Sequence, residues 1–206
     1  MDARVAYAWF MDAPSPVHAA ADRHAVASIL AVGLAEAGGN LRDVCARVGL
    51  SGGALGQLVA EMFPAAAEIF AGIDTRIGVD VAEEEQALRD LFRLYARDHS
   101  ALTEWVGAMV ARRAQSPNHL WQDLGLHSRS EASALMERHF PRLKARNSED
   151  MKWKKFFYRM ICRSEGFSLC AAPICTDCDD FETCFGAEDG ESLLARVSNG
   201  FAGLSP

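Results

Sequence analysis

An all-α fold is predicted for this 206-residue chain, followed by a cysteine-rich C-terminal segment that has no hydrophobic pattern of its own. Three observations predict it. Apolar residues recur at helical spacing in successive blocks from about residue 17 to residue 163, and no segment alternates apolar and polar residues as a half-buried strand does. Four of the six cysteines fall between positions 170 and 184. A hydrophobic fraction of 50% is ordinary for a soluble globular protein and sufficient for one sizeable core.

The opening segment, MDARVAYAWFMDAPSP, carries Asp2 and a short apolar run broken by Asp12, so it fails as a secretory signal. No stretch approaches the roughly 18 apolar residues of a membrane span. A cytoplasmic location is therefore expected, and in that reducing compartment the cysteines are expected as thiols or thiolates, not disulfides.

Helical blocks are expected at about 17–37, 41–48, 53–73, 83–96, 100–114, 129–139 and 151–163. Loops are expected at Pro14 and Pro16, at Gly38 and Gly39, around Ser116 and Pro117, and from Phe140 to Asn147. Ser128 followed by Glu131 fits a capping box, in which each side chain satisfies an orphan amide of a helix start. Gly49-Leu50-Ser51 running to Phe63-Pro64 and Gly125-Leu126 running to Phe140-Pro141 share a turn, helix and proline stop, too few copies for a solenoid. Residues 1–163 are thus expected as a helical body and 164–206 as a cysteine-rich, metal-binding loop segment packed on it.

Residues 41–62 resemble a bacterial helix-turn-helix, which makes a transcription regulator with a C-terminal zinc or iron–sulfur sensor the alternative function. The expected recognition helix, from Gly52 to Phe63, contains no Lys or Arg and carries Glu61, and the net charge of −7 repels a phosphate backbone. Packing of the turn within a helical core explains it more simply, and no nucleic-acid or membrane partner is expected.

Cys170, Cys175, Cys178 and Cys184 have the spacing CxxxxCxxCxxxxxC. Thiolates at such intervals wrap a small soft centre, either an iron–sulfur cluster or zinc. Spacing leaves both open, because the first three cysteines match a ferredoxin pattern while four local thiolates also satisfy tetrahedral zinc. Asp177, Asp179, Asp180, Glu182, Glu188, Asp189 and Glu191 surround them, and a basic stretch lies just upstream. There Trp153, Phe156, Phe157, Met160 and Ile161 form an apolar helix face, with Lys152, Lys155, Arg159, Cys162 and Arg163 opposite. Cys162, flanked by arginines, is a candidate auxiliary ligand with thiolate character, whereas Cys45 in an apolar helix is expected to be buried and structural.

Of six histidines, none forms an HExxH pair and none lies in the cysteine run, so hydrolytic metal chemistry has no support. His119, after Pro117 and beside Trp121 and Asp123, is expected to cap or pack a helix start. His18, His24, His99, His127 and His139 belong to no motif, and no Gly-rich phosphate loop is present.

The stretches His119-Leu-Trp-Gln-Asp-Leu-Gly-Leu126, His139-Phe-Pro141, Ala145-Arg-Asn147, Met151-Lys-Trp-Lys-Lys-Phe-Phe-Tyr-Arg159 and the cysteine run ending Cys184-Phe-Gly186 resemble the NifQ family of nitrogen-fixing bacteria. The likeness covers roughly the second half of the chain and is loose before residue 100. It implies a molybdenum-processing protein that carries molybdenum with iron and sulfide in a molybdenum–iron–sulfur cluster. The metal would pass to the nitrogenase cofactor scaffold, with the nitrogenase iron protein taking part and molybdate as the source. The resemblance implies a donor with no catalytic reaction of its own, and Cys170, Cys175, Cys178 and Cys184 as cluster ligands. His119 and Cys162 are further candidates for the molybdenum side, and Lys152, Lys155 and Arg159 for attracting molybdate.

Overall fold

The computed structural model describes residues 1–12, 15–164, 184 and 186–188. Among these the regular structure is helical: α1 (Ala3–Met11), α2 (Ala20–Glu36), α3 (Leu41–Val48), α4 (Gly52–Met62), a 3-10 turn (Pro64–Ala66), α5 (Ala67–Phe70), α6 (Glu83–Tyr95), α7 (Ala101–Ala114), α8 (Leu120–Asp123), α9 (Arg129–His139), α10 (Pro141–Arg146) and α11 (Trp153–Ser164). The all-α expectation holds for the body.

Three elements differ from the sequence reading, each for a local reason. Asp2 caps α1, its carboxylate accepting from the backbone N–H of Arg4 at 2.9 Å, and Ala3, Ala6 and Phe10 bury one face of a helix that was not expected. The expected block 53–73 breaks at Pro64, whose ring cannot continue a helix, so the chain turns through a 3-10 segment before α5. The loop expected from 140 to 147 is instead mostly α10, because Pro141 occupies the first helical position, where a missing N–H is no loss.

Two helices form the centre. In α2 every residue from Ala25 to Leu34 is buried, as befits a helix that is apolar all round, and it packs against α1, α3 and α9. Its approach to α3 depends on Gly33, where a Cβ would come within 2.5 Å of Val48 Cγ1. In α7, Trp105, Val106, Met109, Val110 and Ala111 are buried against surroundings built by α3, α4, α6 and α8. The α11 helix closes the body by its apolar face, with Phe157 edge-on to Phe92 of α6 at 5.1 Å between ring centroids.

The helix-turn-helix segment is real but inward-facing. Gly49 ends α3 in a left-handed conformation (φ 74°), and α4 buries Leu55, Leu58, Val59 and Met62. Its exposed positions are Gln57, Ala60 and Glu61, which offer no cation to a phosphate. Cys45 is fully buried, and burial pushes its thiol up, as expected of a structural cysteine. No helix among the described residues is long and apolar enough to cross a membrane.

Candidate metal centre

The HLWQDLGL stretch folds as a short helix locked at both ends. His119 is the N-cap of α8, and its backbone N–H donates to Gln122 Oε1 at 3.0 Å, one half of a capping box. The other end closes on Gly125 (φ 73°): Leu126 N–H donates to the Trp121 carbonyl at 2.9 Å and Gly125 N–H to that of Gln122 at 3.0 Å, a Schellman arrangement. The capping role expected of His119 is what the structure shows.

Asp123 fastens this loop to the body. Its side chain is only 4% exposed and accepts from Lys154 Nζ at 2.5 Å and from Asn118 Nδ2 at 2.9 Å. The Asp123 carbonyl accepts from Arg113 Nε at 2.7 Å, and the same guanidinium grips both oxygens of Glu36 at 2.7 and 2.8 Å. Helices α2, α7, α8 and α11 are thereby joined through one charged, hydrogen-bonded chain. Burial lowers the pKa of Lys154 even though Asp123 opposes the shift. Lys154 thus turns into the body, unlike the outward face on which the neighbouring basic residues were expected.

The segment leading into α11 is clamped by Asn147, whose side chain donates to the Met151 carbonyl and accepts from its N–H, both at 2.9 Å. Trp153 is buried, with its indole N–H donating to Ser133 Oγ at 3.0 Å. At this helix start the cysteine run meets the body. Lys152 N–H donates to the carbonyl of Cys184 at 2.8 Å, and Cys184 is half-buried against the core. Four residues on, Glu188 receives Arg129 Nη1 at 3.2 Å and lies 3.7 Å from His119 Nδ1. Arg129 also donates to the carbonyl of Asp150, a residue in the left-handed region at φ 55°.

The structure therefore brings His119, Lys152 and Cys184 into one region and adds Arg129, Glu188, Asp123 and Lys154 to it. Lys155 is exposed, and Arg159 lines a cleft with Arg146, Asn147, Ser148, Glu149 and Met151. Cys170, Cys175 and Cys178 lie outside the described residues, as does most of the expected segment 164–206. Cys162 belongs to α11 by its backbone, and its side chain is outside the described part. Glu188, one of the seven acidic residues around the cysteines, is placed by its contacts with Arg129 and His119. The indole N–H of Trp121 is buried without a hydrogen-bond partner among the described residues.

The sequence model of the NifQ family matches residues 25–186. The chain belongs to the NifQ family. A NifQ homologue from Sinorhizobium fredii is 37% identical over 171 residues, covering 83% of this chain and 74% of the relative. The NifQ protein of Rhodobacter capsulatus is 38% identical over 179 residues, 87% of this chain and 96% of that protein. That of Azotobacter vinelandii is 43% identical over a shorter stretch of 84 residues, 41% of this chain and 43% of that protein. No solved structure matches. The NifQ match reaches well into the N-terminal half, further than the motifs quoted from residue 100 onward, and the family name points to a role in nitrogen fixation. Within the match lie all four clustered cysteines, all of α7 and α2 from Ala25 onward.

Proposed function

We propose that this NifQ-family chain is a cytoplasmic molybdenum donor for nitrogenase cofactor assembly, with a molybdenum–iron–sulfur cluster as its cargo. Family membership carries this reading, supported by the docking of Cys184 on the backbone of Lys152. Cys170, Cys175, Cys178 and Cys184 are the proposed ligands, since four thiolates suit the soft iron of such a cargo. A carbonyl anchored at the start of α11 fixes one end of the cysteine run on the body.

His119 suits the molybdenum side because Glu188, near its ring, follows Cys184 by four residues. Lys152, Lys155 and Arg159 are proposed to draw in molybdate, a dianion, and Cys162 to act as an auxiliary thiolate. The chain delivers metal to the cofactor scaffold, with the iron protein taking part, and performs no catalytic reaction of its own.

Elemental analysis with electron paramagnetic resonance on protein purified without oxygen tests this. Iron, sulfide and molybdenum with a cluster signal are expected, and Cys184→Ser is expected to lose them. His119→Ala is expected to keep iron and lose molybdenum. Stoichiometric zinc without iron, even after anaerobic reconstitution, would overturn the donor reading in favour of a structural zinc module.

A further inference from the structure

Two histidines that belong to no sequence motif meet a glutamate at the start of α9. His24 lies in α2, His127 just before α9, and Glu131 in the first turn of α9. We propose that His24, His127 and Glu131 bind a divalent first-row transition metal ion through their own three side chains, with no cysteine ligand.

One ligand atom from each of the three residues lies within 4.8 Å of the other two. His24 Nε2 and Glu131 Oε2 are already 3.3 Å apart. The edge of a tetrahedron with metal–ligand bonds of about 2.0–2.1 Å is about 3.4 Å, so the His24–Glu131 pair already has the required spacing, and the His127 nitrogen has to close on it from within 4.8 Å. The two imidazole rings are nearly parallel, 7° between planes with centroids 5.5 Å apart. Two imidazoles and a carboxylate suit zinc, cobalt(II) and iron(II), and exclude the all-oxygen preference of magnesium and calcium.

The surroundings supply what such ligands need. Tyr7 Oη lies 2.8 Å from His24 Nδ1. A hydroxyl both donates and accepts, so its oxygen can accept a hydrogen bond from Nδ1–H when Nε2 gives its lone pair to a metal, fixing the tautomer. Glu131 Oε2 is held by the backbone N–H of His127 at 2.9 Å. In the capping box expected from the sequence, that carboxylate would bond the N–H of Ser128; the structure moves the bond one residue back, toward the histidines. His127 is exposed and His24 and Glu131 are half-buried, so the site is open to solvent. Three protein ligands leave a position for water or an exchanging ligand, unlike a closed structural site. A bound ion would tie α1, α2 and α9 together.

Cobalt(II) is the probe, titrated into the full chain with Cys170, Cys175, Cys178 and Cys184 replaced by serine and read by its visible d–d absorption. One equivalent should bind without thiolate charge transfer. His127→Ala, at an exposed position, should weaken binding at least about 10-fold, and Tyr7→Phe about 10-fold with unchanged stoichiometry. If circular dichroism shows the serine background unfolded, the wild-type chain is compared with His127→Ala, and the wild type should bind one more equivalent, lacking thiolate character. Equal affinity and stoichiometry with and without His127 would overturn the proposal, leaving the trio a hydrogen-bonded cap of α9.

Discussion

Lys154 and Asp123 show how much a single pair settles at this site. Both stand inside stretches that mark the family, yet nothing in the spacing joins residues 31 apart, and Lys154 reads as one more cation on a basic helix. Packing brings them to 2.5 Å, with the carboxylate side chain 4% and the ammonium side chain 17% exposed. Removing one partner of a buried pair strands the other charge. Lys154→Ala is therefore expected to lower the unfolding free energy by about 3 kcal/mol in urea titration. A double change to Lys154→Met and Asp123→Leu should cost less than the sum of the single changes. Equal, additive losses would show that the two residues act independently.

At the scale of elements, helix ends carry most of the legible information. Ser128 accepts from Glu131 N–H at 3.4 Å as the sequence pattern requires, and glycines close α2, α3 and α8. Gly49 has two reasons to be glycine: its φ of 74°, and an added Cβ that would stand 2.7 Å from Arg112 Cβ on α7. Gly49→Ala is expected to destabilise the fold by more than the ~1–2 kcal/mol of a left-handed alanine, since the contact adds to the backbone cost. Thermal and urea unfolding check it, and a loss below 1 kcal/mol would mean that α3 and α7 separate easily. The α1 helix and α10 escaped the pattern because one is short and opens the chain, and the other follows directly on a proline stop.

For the molecule as a whole, buried ionic ties between distant helices set the response to acid. Asp22 of α2 receives Arg138 Nε at 2.6 Å and lies 3.1 Å from His139 Nε2, both on α9. Burial pushes the Asp22 carboxyl up, but hydrogen bonds from His139 and Arg138 more than reverse this and leave it below the usual carboxylate range. Glu36 is lowered in the same way by Arg113 against the effect of burial. A carboxyl lowered in the folded state adds stability that is complete above its unfolded value, near pH 4, and is lost as pH falls through the folded value. Urea midpoints are thus expected to drop from pH 5 to pH 3, and Asp22→Asn to drop less over that interval. An unchanged slope in Asp22→Asn would remove Asp22 from the acid response.

The sequence by itself determined the helical class, the order of the principal helices, the capping role of His119 and the buried fate of Cys45, because periodicity and caps are local properties of a few successive residues. It also carried the family resemblance, through motifs that are contiguous in the chain. Only the tertiary structure decided that Lys154 faces Asp123, that Glu188 meets His119 and Arg129, and that His24 and Glu131, 107 positions apart, share a hydrogen bond. These pairings depend on which helix faces pack together, and that choice is made by the shape of the whole core.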